Sequence, residues 1–302
     1  MTIACCYVSA EGVVFGADST VSFSMADGLH YLNHAQKVFE VGDGGTIGIV
    51  FWGLAALGGK SYRTLIAELQ DSIESKPVTS MEELVARWIA VFHHAYEQAL
   101  IGDQVFGAEI ADCREIALMQ PFDPDVDHVD GMRTPDQEDL LLRVRQNLTV
   151  GFAIGGRVLP DRTPLAYFMH FEPQSSEAPI PMPIPVNSYG FWGAPNIFQR
   201  LVFGADDATK QSILNSNKWT GSTADLDEVL AQHRLFHPIL PLREVIDFVH
   251  TGIHSTIKAL KFSHFSQVCG GPIELAVVST DRQFRWVRHK NWDAAVVDGD
   301  IS

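Results

Sequence analysis

The start of the chain constrains its fold more than any other segment. Thr2 to Val8 is an apolar run, Ala10-Glu11-Gly12 is a turn signal, and Val13 to Ala17 is a second apolar run that leads to Asp18. Two short apolar runs separated by a turn that contains glycine predict a pair of strands. The chain is therefore expected to begin directly with β-sheet.

The second residue carries a chemical implication of its own. Met1 precedes the small residue Thr2, and a methionine in that context is readily removed. Removal leaves a threonine whose hydroxyl and free α-amine belong to one residue, which makes it a nucleophile with a built-in general base. The sequence therefore predicts an N-terminal threonine nucleophile, on condition that Met1 is removed.

Two further segments place a lysine and a glycine after this start. Gln36 to Val41 is a short alternating strand that opens near Lys37, and Thr46 to Ala56 is a buried type of strand that passes through Gly53. The ordered set resembles the proteasome β-type family of N-terminal-nucleophile hydrolases, including its simpler bacterial members. The residues that carry the resemblance are Thr2, Gly12, Asp18, Lys37 and Gly53.

The resemblance implies a role for four of these residues. Thr2 would supply Oγ as nucleophile and its α-amine as proton acceptor, a group whose ordinary pKa is roughly 7.7–8.0. Lys37 would lower the pKa of the Thr2 hydroxyl, and Asp18 would hold Lys37 charged and in place. The Gly53 backbone N–H would bind the oxyanion, a role worth about 2.7–4 kcal/mol in other hydrolases.

The resemblance also implies a substrate pocket beside these residues. Val21 and Phe51 match positions that line the specificity pocket of the family. A phenylalanine in that place is expected to narrow the pocket and to favour small or slim apolar side chains.

Three helper positions of the family are different in this chain. Ser266 stands where the family has an aspartate, and Cys269 stands where it has a serine. A second helper serine of the family lies between two glycines, and here Phe191 and Trp192 occupy that place. These differences weaken the case for an efficient peptidase.

The predicted elements occur in groups of strands separated by helices. Helical periodicity covers residues 61–73, Ser80 with Glu83 is a capping signature, and Leu242 to Phe262 is a long amphipathic helix. This order is typical of an α+β fold in which two antiparallel sheets stack between helical layers, a four-layer αββα sandwich. It is also the order that the N-terminal-nucleophile hydrolase fold implies.

The chain is expected to form one domain over residues 1–302. Two segments, near 102–147 and 205–238, exceed the usual length in the family and are interpreted as insertions. The acidic run over 123–130 in the first of them is typical of a solvated loop, although a divalent cation or a basic partner is the alternative.

Composition narrows the class of partner. The formal net charge of −15 argues against nucleic acid, which requires clustered Lys and Arg. No apolar run approaches the roughly 18 residues of a membrane span, and a signal peptide is not evident, so a cytoplasmic location is expected. No cofactor or metal is predicted, because His250 and His254, spaced for zinc on the long helix, have no evident third ligand.

Three functions remain open at this point. The first is a threonine-type amide hydrolase acting on peptides. The second is a catalytically inactive proteasome-like structural subunit, and the third is a small-amide hydrolase on the same fold. The resemblance implies a homo-oligomer, either a ring or an open spiral, and leaves an ATPase partner undetermined. The aromatic residues Phe191, Trp192 and Trp219 are compatible with a subunit contact.

Overall fold

The computed structural model describes residues 2–25, 28–42, 44–123, 130–216, 218–235, 239–263 and 268–290. The described residues form a mixed α/β structure with antiparallel sheets and eight α-helices. The strands are β1 (Ile3–Ser9), β2 (Gly12–Ala17), β3 (Val21–Met25), β4 (Gly28–Leu32), β5 (Val38–Glu40), β6 (Ile47–Gly53), β7 (Val150–Gly156), β8 (Leu165–Phe171), β9 (Met182–Pro183), β10 (Ser188–Gly193), β11 (Glu274–Ser279) and β12 (Arg285–Arg288). The helices are α1 (Tyr62–Ser75), α2 (Met81–Ile101), α3 (Ile110–Ala117), α4 (Pro135–Leu148), α5 (Asn196–Phe203), α6 (Asp207–Leu214), α7 (Thr223–Ala231) and α8 (Leu242–Lys261).

The opening hairpin lies at the centre of one sheet. Its strands β1 and β2 pair with Ala4 opposite Ala17 and Ser9 opposite Gly12, which confirms the predicted strand pair. The sheet has the order β10-β1-β2-β11-β12, so both hairpin strands have a neighbour on each side. Every residue of β1 and β2 is buried, because both faces of these strands are covered.

A second sheet carries the segment around Gly53. It has the order β5-β6-β7-β8-β9, and all of its pairings are antiparallel. A separate two-stranded sheet joins β3 to β4. The predicted strand from Thr46 to Ala56 is confirmed as β6, although it ends three residues earlier, at Gly53.

The buried apolar side chains form three clusters. One joins α1, α2, α3 and α4 to one face of the β5–β9 sheet. A second contains side chains from both five-stranded sheets, and a third joins α8 to the sheet of the opening hairpin. Adjacent Cys5 and Cys6 belong to different clusters, as expected for neighbouring residues on a strand.

The predicted long helices are confirmed. In α2 the Ser80 side chain accepts a hydrogen bond from Glu83 N at 3.2 Å, but the Glu83 carboxylate binds Thr79 N instead of the cap residue. No helix in the described residues is long and apolar enough to cross a membrane.

The two long segments contain helices that the sequence did not predict. The segment near 102–147 forms a short 3-10 turn, α3 and α4, and the segment near 205–238 forms α6 and α7. Thr134 caps α4 with a reciprocal capping box to Gln137, which explains why this polar sequence becomes helical. Most of the acidic run, residues 124–129, and the end of the second segment, residues 236–238, lie outside the described residues.

Candidate active site

Asp18 is the hub of the candidate site. It follows β2 directly and is fully buried. Its Oδ1 accepts a hydrogen bond from Ile3 N at 3.1 Å, and its Oδ2 accepts from Thr20 N at 3.2 Å and from Gly270 N at 2.9 Å. Three backbone donors from separate parts of the chain therefore fix the orientation of one carboxylate.

Lys37 meets this carboxylate just before β5. Its Nζ lies 2.6 Å from Asp18 Oδ1, and neither side chain is exposed. The ammonium also donates to the Thr20 carbonyl. Burial lowers the pKa of Lys37, and the Asp18 charge opposes that shift. For a buried ammonium, hydrogen bonds to a carboxylate partner replace those that it no longer makes to water.

A second buried ion pair lies behind the first. Glu274, the first residue of β11, is fully buried, and its Oε2 accepts a hydrogen bond from the backbone N–H of Lys37 at 3.1 Å. Lys290 Nζ lies 3.1 Å from Glu274 Oε1 and also donates to Ala35 O at 2.6 Å. Burial lowers the pKa of Lys290, and the Glu274 charge raises it.

Glu274 and Lys290 were missed by the sequence reasoning. The available signal was Glu274 itself, a charged residue inside the otherwise apolar run from Ile273 to Val278. A carboxylate in a buried strand requires a partner, and Lys290 supplies it from beyond the following strand. No comparable pattern marks Lys290.

Thr2 and Gly53 line the same cavity. The cavity has a volume of about 740 Å³. Residues from the strand ends and their flanks line one part of it: Thr2, Trp52, Gly53, Thr149 and Gly193. Residues from α4 and from the end of β8 line the rest: Leu142, Arg145, Gln146, Asn147 and Glu172.

Two glycines allow the backbone to approach closely at this cavity. Gly53 has φ +89°, and a Cβ there would lie 2.3 Å from Thr149 O. Gly193 has φ +85°, and a Cβ there would lie 1.9 Å from Thr2 O. Both positions therefore require glycine for conformation and for space.

The solved structures that resemble this chain support one conclusion about its fold. Anbu, the ancestral beta-subunit, from Yersinia bercovieri matches with a TM-score of 0.51 and 10% sequence identity, over 99% of this chain and 97% of that one. The chain is similar in fold to Anbu. An Anbu mutant from Hyphomicrobium sp. strain MC1 matches with a TM-score of 0.46 and 12% identity, over 100% of this chain and 97% of that one. No family model and no curated protein matches the chain.

The Anbu similarity corrects the sequence-based family assignment. Anbu proteins are proteasome-like but form a distinct family, so the proteasome β-type family is the wrong family for this chain. At this level of identity the similarity extends to the fold alone.

The structure brings together four of the six predicted site residues. Lys37 contacts Asp18, Asp18 binds the residue after Thr2, and Thr2 shares its cavity with Gly53. Phe51 is not brought to the cavity. It is 3% exposed and packs against Tyr62, with ring centroids 4.6 Å apart.

The other predicted pocket residue, Val21, is half-buried in the β3–β4 hairpin and does not line the cavity. The aromatic residue that lines the cavity is Trp52, the neighbour of Phe51. Because successive strand residues point to opposite faces, Trp52 faces the cavity side while Phe51 faces the helices. Trp52 stacks on Trp192 with ring centroids 4.3 Å apart and planes 4° apart.

The described residues at the helper positions, Cys269, Phe191 and Trp192, differ chemically from serine. Burial raises the pKa of Cys269 to about 12, so its thiol stays protonated at neutral pH. Trp192 packs on Trp52, and Phe191 stacks on Phe198 at 3.7 Å, so both rings have packing partners within this subunit while staying partly exposed. Ser266 lies outside the described residues.

The histidine pair on α8 is engaged with an arginine. His250 Nε2 lies 3.0 Å from Arg288 Nη1, and its ring stacks on His254 at 5.7 Å. Within the described residues no three His, Cys, Asp or Glu side chains are grouped for a metal ion.

Proposed function

We propose that this chain is a threonine-type amide hydrolase that uses Thr2 after removal of Met1. The observation that carries the proposal is the contact of one oxygen, Asp18 Oδ1, with both Lys37 Nζ at 2.6 Å and Ile3 N at 3.1 Å. Ile3 follows Thr2 directly, so one carboxylate fixes the lysine and the candidate nucleophile. The substrate is a peptide or a small amide.

The proposed chemistry uses groups of this chain and one water molecule. Thr2 Oγ attacks the carbonyl carbon, and the free α-amine of Thr2 takes the hydroxyl proton. The C–N bond then breaks as the leaving amine takes that proton, and water hydrolyses the resulting ester to release the acid. The charge of Lys37 favours the deprotonated Oγ, and the Gly53 backbone N–H is assigned to the carbonyl oxygen.

We also propose the architecture and assembly that accompany this function. Residues 1–302 form a single domain, a four-layer αββα sandwich, and the three apolar clusters support this layering. The chain assembles with copies of itself, since the similar Anbu protein is described as a beta-subunit. The four free cysteines fit a reducing cytoplasm.

A catalytically silent structural subunit is the second candidate. The observation that favours it is the replacement of the helper groups by a protonated Cys269 thiol and a stacked Trp192 ring. A silent subunit does not require Met1 removal, whereas the hydrolase does. Retained Met1 therefore excludes the hydrolase, whereas loss of Met1 leaves turnover to separate the two candidates.

The experiment combines mass with turnover. Intact mass of the purified chain is expected to show loss of Met1. Thr2→Ala is expected to abolish hydrolysis of a fluorogenic amide panel, while Thr2→Ser, which keeps a hydroxyl and an α-amine, retains part of it. Fully retained Met1, or undiminished turnover by Thr2→Ala, contradicts the proposal.

A further inference from the structure

The cavity at Thr2 contains two side chains of opposite charge. Arg145 comes from the last turn of α4, and Glu172 follows β8 directly. Their nearest charged atoms, Arg145 Nη2 and Glu172 Oε1, are 3.5 Å apart. The α4 segment therefore brings a charge into the cavity that holds the candidate nucleophile.

This pair remains available to a ligand. Charge-assisted N–H···O bonds are usually about 2.7–2.9 Å long, so 3.5 Å leaves the pair open. The Arg145 and Glu172 side chains are 45% and 39% exposed. Glu172 is oriented by Gln174, whose Nε2 donates to Oε2 at 2.6 Å, so Oε1 remains on the Arg145 side.

We propose that Arg145 and Glu172 bind the zwitterionic end of a free α-amino acid whose side chain carries the amide that Thr2 cleaves. Arg145 binds the α-carboxylate, and Glu172 binds the α-ammonium. The cleavage half of this assignment rests on the proposed hydrolase function, whereas the binding half does not.

The spacing of the two charges selects this class of ligand. An α-amino acid carries its ammonium and carboxylate on one carbon, so a pair of opposite charges 3.5 Å apart is complementary to both at once. A peptide carries its two terminal charges on different residues, further apart than this pair. An arginine guanidinium also fits a carboxylate by two parallel N–H donors.

The rest of the cavity suits an uncharged amide side chain. Gln146 and Asn147 offer amide groups, and Trp52 and Leu142 offer apolar surface. The volume of about 740 Å³ lies within the usual range of small-molecule sites. A side chain that begins at the charged pair can therefore extend within the same cavity that Thr2 lines.

The test measures binding in the full chain with Thr2→Ala, which prevents turnover. The ligands are L-glutamine and Nε-acetyl-L-lysine, each in four forms: free, Nα-acetylated, with the α-carboxylate amidated, and with both groups capped. L-Alanyl-L-alanine serves as a zwitterion with separated charges. Calorimetric titration compares Arg145→Gln and Glu172→Gln with the controls Arg143→Gln and Glu177→Gln, which lie outside this cavity.

The expected result is a reciprocal pattern. The free forms bind at least about tenfold more tightly than the doubly capped forms, because each charge gains a charge-assisted contact. Arg145→Gln removes the advantage of a free α-carboxylate and leaves that of a free ammonium. Glu172→Gln does the reverse, and the two controls change neither.

Three results overturn the assignment: equal binding of free and capped forms, equal loss for all forms in both variants, or preference for the dipeptide. Turnover of the same ligands by the wild-type chain is measured separately. Charge-dependent binding without turnover keeps the binding site and removes the hydrolase. Turnover without charge dependence keeps the hydrolase and removes the binding site.

Discussion

The site contains two kinds of charged pair with opposite surroundings. Lys37 and Asp18 are both fully buried and lie 2.6 Å apart, each directly beside the end of a strand. Arg145 and Glu172 are half-exposed and lie 3.5 Å apart, the first in α4 and the second directly after β8. The charged groups of the first pair are hydrogen-bonded within the protein, whereas those of the second pair remain open to a ligand.

This difference separates positioning from recognition. A buried pair that loses one partner leaves an uncompensated charge, so its members are committed to each other. A half-exposed pair contributes little to folding and can exchange its partner for a ligand. The strand framework therefore holds the candidate nucleophile, and in our proposal Arg145 of α4 and Glu172 recognise the substrate.

The largest effect is expected from Asp18→Ala. This change removes the partner of a buried ammonium and the acceptor of three backbone N–H groups. We expect the free energy of unfolding to fall by about 3–5 kcal/mol. Urea unfolding followed by circular dichroism measures it, and a loss under 1 kcal/mol is inconsistent with a buried hub.

The second ion pair gives a smaller but coupled effect. Glu274→Gln and Lys290→Met each leave one charge of a buried pair unmatched. The double variant removes both charges, so its loss should be smaller than the sum of the single losses by roughly 0.5–3 kcal/mol. A double-mutant cycle on unfolding free energy checks this, and strict additivity argues that the two groups do not interact.

Gly193→Ala tests the backbone approach beside Thr2. A Cβ at Gly193 would lie 1.9 Å from Thr2 O, and its φ of +85° disfavours any other residue. We expect a loss of about 1–2 kcal/mol from the backbone conformation alone, with a further loss from displacement of Thr2. Gly58→Ala is the matched control, because a Cβ there meets no atom within 4 Å.

The sequence was sufficient to predict the strand framework, because the apolar runs at β1, β2 and β6 are continuous. Asp18 follows β2, Lys37 precedes β5 and Gly53 ends β6, but no feature of the strand pattern singles these residues out. The sequence pointed to them only through the family resemblance. It was insufficient for the cavity wall. Phe51 and Trp52 are adjacent and both apolar, and which of them faces the cavity depends on the register of β6, which the sequence pattern did not determine.

The helices of the segment near 102–147 were also not predicted. In α4 only Leu141, Val144 and Leu148 are buried, but their spacing is helical and Thr134 with Gln137 is a capping signature, so this helix was missed despite a local signal. Arg145 and Glu172 are separated along the chain by a strand hairpin. Their meeting depends on the packing of α4 against the end of β8, which local propensity does not specify.

The smallest effect on stability is expected where the effect on binding is expected to be largest. Arg145→Gln and Glu172→Gln each break a half-exposed pair that is 3.5 Å apart. Solvent screens such a pair, and surface changes of this kind usually alter unfolding free energy by no more than about 0.5 kcal/mol. Urea unfolding of both variants beside Asp18→Ala is the measurement. A loss above about 2 kcal/mol, in the range of a broken buried network, would mean that Arg145 and Glu172 are committed to the fold as Lys37 and Asp18 are, and the contrast between the two pairs would be lost.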